Sequence, residues 1–472
     1  MPRTSRLTEW VAFAVVMLWG LYQCFWNLAG PNVSADEPIY VDAGWDYLHG
    51  DIADNQEHPP FAKYLMGFGQ LLFGQGLLTG RSVAALAAFA TGVVLYFWLR
   101  REIGWVGALS AAGFWLVLPH GVITNVRLDR LALLEPFMVL FAVIAFAAVW
   151  QWFRGRPWWW LVLAGVSIAF SVTSKVSSAV LIPVLLVFVV LRRPLRRGLA
   201  GLAVFCGVGA VVGVLVYLPV GLFDSVRYML DFQSQHDATG HLIAVAGVAY
   251  TFPPWWSNLW FWFDGMGVMP VLVLLAGTVA SVFSRRWALL GMLGAAIALL
   301  LVFYLAVSDV ALSHYYYAWV WLFCATAGVG VAELLRPKRR RVLLSASRIG
   351  AVLLLAVAVV CGVFTSVVIA GQRASGMALV LPELESLGIE QGDVYVAGMA
   401  PWEFVYPIEG RWTTELDDPD IVAFALKDQV RFPLDAALTA ELEERAGELD
   451  RFTIDDVTLY VVRAAERPVA AG

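Results

Sequence analysis

Over its first 371 positions this chain alternates apolar blocks close to twenty residues long with short polar connections. Wound as helices, blocks of that length match the hydrocarbon core of a bilayer. The pattern predicts about eleven membrane helices, near 10–29, 81–99, 104–119, 131–152, 157–173, 176–191, 199–219, 266–283, 287–306, 315–333 and 349–371. After the first block, Ser34 to Glu37 fits a capping box and Pro38 suits a first helical turn. Ile39, Ala43 and Tyr47 then fall on one face, with Asp42, Asp46 and His49 turned away, which predicts a short amphipathic helix on the outer surface. Pro59 and Pro60 fix an extended chain ahead of FAKYLMGFGQLLFG, a second surface or half-buried helix. Past residue 371 the period changes. GDVYVAG and DDVTLYVV read as strands, and LDAALTAELEERAGELDRF as a helix. The predicted division is a transmembrane domain, 1–371, and a small soluble α/β domain, 372–472.

Composition agrees with this class. The chain is 60% hydrophobic and 15% charged, and its mean hydropathy is +0.72. This is the profile of a polytopic membrane protein and excludes a soluble or nucleic-acid-binding one. Basic clusters fall after every second predicted span: Arg3 with Arg6, Arg100 with Arg101, Arg154 with Arg156, Arg192 to Arg197, Arg285 with Arg286, and RPKRRR from Arg336. The positive-inside rule puts them, and the N-terminus, in the cytoplasm, with the C-terminal domain outside the plasma membrane. The first span is too long for a signal-peptide core and reads as an anchor. Only Lys63, Lys175, Lys338 and Lys427 are lysines among 32 basic residues, which fits a GC-rich bacterial gene. The four cysteines lie in apolar runs without paired spacing and read as structural thiols.

Charge on the outer side is concentrated. Of the 17 acids in residues 1–371, all but Glu9, Glu102 and Glu333 fall there. Asp36 and Glu37 are the catalytic candidates. Glu37 has capping as its other duty. Asp36 has none, and apolar surroundings would raise its pKa, as a general base requires. Glu57 is the reserve. Lys175 and Glu135 stand at span ends within apolar sequence, where ionised groups are costly and usually functional.

DE at 36–37, the downstream YLHGD and EHPPFAK at 57–63 resemble the first outer loop of the phospholipid-carrier-dependent glycosyltransferases, the family of the protein O-mannosyltransferases and the lipid A aminoarabinose transferases. RLALLEPF (130–137) is similar to the family's Arg…Leu-Asp-Phe segment, with Glu135 in place of Asp. SVTSKVSS places Lys175 where the family has a lysine. HDATGHLIAVAGVAYTFPPWW (236–256) resembles its GH…PW loop, and SHYYYAW (313–319) stands at its basic-tyrosine segment, here without Lys or Arg.

The resemblance implies the GT-C fold and inverting transfer from a polyprenyl-phosphate sugar to an acceptor hydroxyl of a protein, lipid or polysaccharide. Lys63, Arg127, Arg130 and Lys175 would meet the donor phosphate. Glu135, Trp255, Trp256 and Tyr316 would bind substrate. Glu57 with His236 or His241 would hold a divalent metal ion (zinc, manganese or magnesium), or these histidines would simply make hydrogen bonds. A transporter or flippase of lipid-linked sugars is the other class; it predicts charges at span midpoints and internal repeats, which the sequence does not show. The sugar stays open.

Overall fold

Each of the eleven predicted apolar segments is helical in the computed structural model, which describes residues 3–34, 36–122, 125–336, 341–408 and 410–463. The helices of the first 371 residues are α1 (Arg3–Phe25), α2 (Asp36–His49), α3 (Phe61–Phe73), α4 (Leu77–Val117), α5 (Glu135–Phe153), α6 (Trp159–Ser174), α7 (Ile182–Val190), α8 (Leu195–Tyr217), α9 (Leu222–Thr239), α10 (Ser257–Met266), α11 (Val268–Ser281), α12 (Trp287–Val302), α13 (Tyr317–Leu334) and α14 (Arg341–Gly371). With the segments that join them they form one unit, Met1–Leu28 with Asp36–His241 and Phe252–Gly371.

Among the described residues seven helices are long and apolar enough to cross a membrane, or eight if α10 and α11, bent by 107°, make one span. The count is below eleven because α4 joins two of the predicted segments and because α6 and α7, with 16 and 9 residues, fall short of a full span. The predicted segments 81–99 and 104–119 form the 41-residue α4, which breaks at Gly104 (φ 80°, ψ 166°), a conformation open to glycine and costly elsewhere. Its arms fold back on each other, and the Trp115 indole donates to the Ala88 carbonyl at 2.8 Å. α13 lies at the centre, packed on α4 and α11, with Trp319 and Trp321 fully buried.

The basic clusters link up at one end of the bundle. Arg100 pairs with Glu9, which also accepts from Tyr96 at 2.7 Å. Arg154 lies 3.9 Å from Glu102, and Arg192 donates to the carbonyls of Arg156 and Gly155. Of the run after Arg336, residues 337–340 lie outside the described residues. All four cysteines are free, with Cys24 and Cys324 buried.

Both expected surface helices are present. On α2 the buried face is Glu37, Tyr40, Val41, Ala43, Gly44 and Tyr47, while Ile39 is exposed. The helix is rotated from its predicted apolar face because Glu37 has a buried partner, described below. α3 turns Phe68, Leu71, Leu72 and Phe73 outward, an apolar face suited to a bilayer surface. The two helices cross closely: a Cβ on Gly67 would lie 1.9 Å from the Gly44 carbonyl oxygen. Gly67→Ala should therefore force them apart and lower stability by roughly 1–3 kcal/mol, the usual scale of overpacking. A thermal melt of detergent-solubilised protein checks this, with Gly207→Ala, whose added Cβ meets nothing within 4 Å, as the control.

The second unit comprises Ala29–Ala35, Leu242–Thr251 and Gln372–Gly472. Asn32 ties its first segment to the tail, donating to the Ser375 carbonyl at 3.1 Å and accepting from the Ser375 N–H at 2.9 Å. The middle segment is a hairpin of β1 (Ile243–Val245) and β2 (Val248–Tyr250). The tail carries β3 (Asp393–Ala397), β4 (Trp412–Thr413), β5 (Ile421–Leu426), β6 (Leu449–Ile454) and β7 (Val457–Val462). They form a mixed sheet in the order β4-β3-β5-β7-β6, parallel within β4-β3-β5 and antiparallel beyond. Val394, Val396 and Leu459 pack on one face, and Tyr395, Phe424 and Leu442 on the other. The helix predicted over 434–452 covers only Ala436–Glu444. Its last part is β6, paired with β7 across Asp455 (φ 50°) and Asp456, a short polar turn that overrides the helical propensity of the preceding residues.

Candidate active site

The first turn of α2 is held by a buried ion pair. Arg81 donates from Nε and Nη2 to the two Glu37 carboxylate oxygens, both at 2.7 Å, and from Nη1 to the Leu28 carbonyl at 2.8 Å. The Ala132 N–H donates to Glu37 Oε1 at 2.7 Å. Both side chains are buried. Glu37 therefore ties α2 to α4 and to the segment before α5. This tie is one that neither the capping nor the catalytic expectation for Glu37 included.

Asp36, the adjacent residue, stays half-buried and open to chemistry. Tyr40, one helical turn on, donates from its hydroxyl to Asp36 Oδ2 at 3.3 Å. Burial raises the Asp36 pKa; Lys175 opposes the rise, and Glu135 adds to it. Lys175 and Glu135 are brought close because α6 ends at Ser174 and α5 begins at Glu135, at the same level of the bundle. The Lys175 ammonium donates to the Glu135 carboxylate and stands 4.8 Å from the centre of the Tyr315 ring. Its side chain keeps 12% of its surface exposed. His314 Nε2 lies 3.3 Å from Glu135 Oε1 and 3.5 Å from Lys175 Nζ. Burial drives the His314 pKa down to about 4 against the pull of Glu135, with Lys175 adding to the drop, so the ring is neutral at pH 7. His58 is neutral as well, held near 3 by burial and by the positive charge of Lys175 and Lys63. Its ring meets Tyr40 edge-on at 5.5 Å. One carboxylate of raised pKa thus lies within electrostatic reach of a cation that is paired with Glu135 and flanked by Tyr315 and His314.

The other predicted residues are placed differently. Lys63 is fully buried; its ammonium donates to the Asn55 carbonyl and, at 2.9–3.1 Å, to His58 O, Asn55 Oδ1 and Tyr47 Oη. Burial lowers its pKa to about 7. It fastens the EHPP loop, whereas the sequence expectation put it at the donor phosphate. Arg127 is buried against Asp129 (2.9 and 2.5 Å) and the carbonyls of Leu116 and Leu118, and Arg130 donates to the carbonyls of Gln23 and Asn27. Both are buried and hold partners within the protein, whereas the sequence expectation put them at the donor phosphate. Tyr316 is also internal, donating to the Gly121 carbonyl at 2.6 Å. Tyr315, not Tyr316, is the tyrosine beside Lys175, because α13 begins at Tyr317 and turns Tyr316 into the core.

Trp255 is exposed and Trp256 half-buried at the start of α10. His236 Nε2 and His241 Nδ1 are 3.1 Å apart, and Glu57 accepts from Asn55 at 2.7 Å. No three His, Cys, Asp or Glu side chains able to hold a metal ion come together among the described residues. Tyr40, His314 and Tyr315 were not singled out by sequence reasoning. The Asp36–Tyr40 spacing of four on a helix was the available signal for the first.

Residues 57–223 match the model of the family described as dolichyl-phosphate-mannose-protein mannosyltransferase. The chain is 31% identical over 155 residues to a polyprenol-phosphate-mannose–protein mannosyltransferase of Mycolicibacterium smegmatis, an alignment covering 31% of this chain and 30% of that protein. It is 30% identical over 157 residues to one of Mycobacterium tuberculosis, covering 31% and 29%. The chain thus spans under a third of the length of the curated relatives it matches. Among solved structures, ArnT from Cupriavidus metallidurans bound to undecaprenyl phosphate superposes with a TM-score of 0.59 at 15% identity, over 99% of this chain and 100% of that one. The oligosaccharyltransferase AglB of Archaeoglobus fulgidus, in complex with an inhibitory peptide and a dolichol-phosphate, gives 0.56 at 9% identity, over 99% and 76%. The fold of this chain is the GT-C fold.

Proposed function

We propose that this chain, a multi-pass membrane protein of GT-C fold that resembles the protein mannosyltransferases over residues 57–223, is an inverting glycosyltransferase using a polyprenyl-phosphate sugar. The observation that carries the reading is the half-buried Asp36 carboxylate, its pKa raised, within electrostatic reach of Lys175. An acceptor hydroxyl attacks the anomeric carbon from the side opposite the phosphate while Asp36 takes its proton. The bond from that carbon to the phosphate oxygen breaks, and the polyprenyl phosphate leaves with the electron pair. Lys175 meets the charge gathering on the leaving phosphate. Glu135 and His314 orient its ammonium, and the Tyr315 face supports it.

Mannose and a protein acceptor are the substrates named for the mycobacterial relatives, and they are the first to try here. The shared end of the basic clusters supports a cytoplasmic N-terminus, with transfer on the extracytoplasmic face. The Asp36 group lies at helix ends and not at span midpoints, so the transport reading gains no support.

Purified protein in liposomes without an ion gradient should transfer sugar from polyprenyl-phosphate mannose to a Ser/Thr-rich peptide. Absence of transfer with this and other polyprenyl-phosphate sugars would overturn the proposal. Within it, Lys175→Met combined with Glu135→Gln, which leaves no buried lone charge, should weaken donor binding about ten- to a hundred-fold, the value of a charged hydrogen bond. Titration with donor analogue reads the affinity.

A further inference from the structure

The end of the bundle away from Asp36 holds a cleft of about 590 Å³ that the proposed reaction does not use. α13 starts two residues after Tyr315 and is 18 residues long, and its last turn lines the cleft. At ~1.5 Å per residue the cleft is roughly 27 Å from the catalytic group, close to a hydrocarbon thickness. It therefore opens at the opposite membrane surface.

Three elements build it: the break of α4 at Gly104 with the following Trp105, the α11–α12 turn with Arg285 and Arg286, and the end of α13 with Val329, Glu333 and Arg336. Three guanidinium groups thus face one carboxylate. Arg336 lies 3.6 Å from Glu333, and both Arg285 and Arg286 are exposed. The second arm of α4 begins here, directly after Gly104, and a helix start adds partial positive charge. Glu333 and the carbonyl end of α13 oppose this, but three guanidinium charges outweigh one carboxylate and a partial charge. Trp105 and Val106 give the cleft an apolar wall beside its charges.

Guanidinium forks next to an apolar wall, at the depth of a membrane surface, match a phosphodiester that carries acyl chains. A free phosphate would use the charges and leave the wall idle. We propose that this cleft binds the headgroup of an anionic phospholipid from the leaflet opposite the active site. The phosphate sits among Arg285, Arg286 and Arg336, and the upper acyl chain lies along Trp105. Such a lipid joins the inner ends of α4, α12 and α13, the last of which leads directly to His314 and Tyr315.

Native mass spectrometry of the full chain, released from nanodiscs of equal phosphatidylglycerol and phosphatidylcholine, tests this. Wild-type protein should retain phosphatidylglycerol in preference to phosphatidylcholine. Arg285→Gln, Arg286→Gln and Arg336→Gln together should reduce that preference by roughly tenfold or more, as each basic group near an anionic surface contributes on the order of fivefold. The triple lysine variant should keep most of it. Equal retention of the two lipids by wild type, or an unchanged preference in the glutamine variant, overturns the proposal. Should the glutamine variant fail to yield monodisperse protein, the wild-type preference and its loss when Trp105→Glu places a carboxylate in the wall decide the matter. Inorganic phosphate is the remaining arm: if millimolar phosphate displaces phosphatidylglycerol, the cleft is a free-anion site and the lipid assignment falls.

Discussion

Asp36→Asn should abolish all but about one hundredth of sugar transfer, the usual scale for losing a general base, while donor binding and folding persist. Asn keeps the size of the side chain and still accepts from the Tyr40 hydroxyl, now 3.3 Å from Asp36 Oδ2, yet it cannot take a proton. Stability should not fall. A carboxyl whose pKa burial has raised is one whose ionised form the folded state disfavours relative to the unfolded. That cost is absent below the unfolded pKa and complete above the raised folded one, so at neutral pH the amide removes it. The same shift sets the acid limb of the wild-type rate. Transfer needs the ionised carboxylate, so it should decline with falling pH through a value above the ordinary range for Asp. Turnover against pH, with donor affinity measured in parallel, checks both statements. Near-normal turnover in the Asn variant would remove Asp36 from the mechanism and bring Glu57 forward.

Glu37→Gln, one residue away, should fail for a different reason. It leaves the Arg81 guanidinium buried opposite a neutral amide and weakens the hold on the Ala132 N–H. Breaking a buried pair from one side costs about 3–5 kcal/mol, a large part of the stability of most proteins. Lower yield and a depressed melting temperature are expected, along with reduced donor binding because α2 is no longer anchored. The double change Glu37→Gln with Arg81→Met should recover part of the loss, since it leaves no lone charge. A Glu37→Gln protein that melts like wild type but does not turn over would instead make Glu37 a direct participant. Two adjacent acids thus separate by readout: one variant loses chemistry, the other the fold.

Much of this architecture was legible in the sequence, because apolar block length and charge at block ends are written directly in the residues. What periodicity could not supply was the partner of each charge. Arg127, Arg130 and Lys63 have the same outward placement along the chain as Lys175, yet only the three-dimensional fold brings Asp129, backbone carbonyls and the Asn55 loop against the first three. Local sequence gave no sign of Arg81 reaching Glu37 across 44 positions. The SHYYYAW run illustrates the limit at single-residue scale: its composition promised a tyrosine at the site, and the start of α13 decided that it is Tyr315 and not Tyr316. In the tail, helical propensity misled where a two-residue turn and a neighbouring strand prevailed.

The shortness of α6 reaches beyond the protein. Its 16 residues amount to ~24 Å of helix, against a hydrocarbon layer of about 30 Å. Lys175 closes that helix, so on an undeformed bilayer its ammonium would lie several ångströms below the headgroups. Hydrophobic mismatch of this kind is relieved by thinning the membrane around the short element. On the proposed function, such thinning would lower the phosphate of a polyprenyl donor toward Lys175, at an elastic cost that grows with acyl-chain length. Sugar transfer should then be faster in liposomes of short-chain than of long-chain lipids at equal donor concentration.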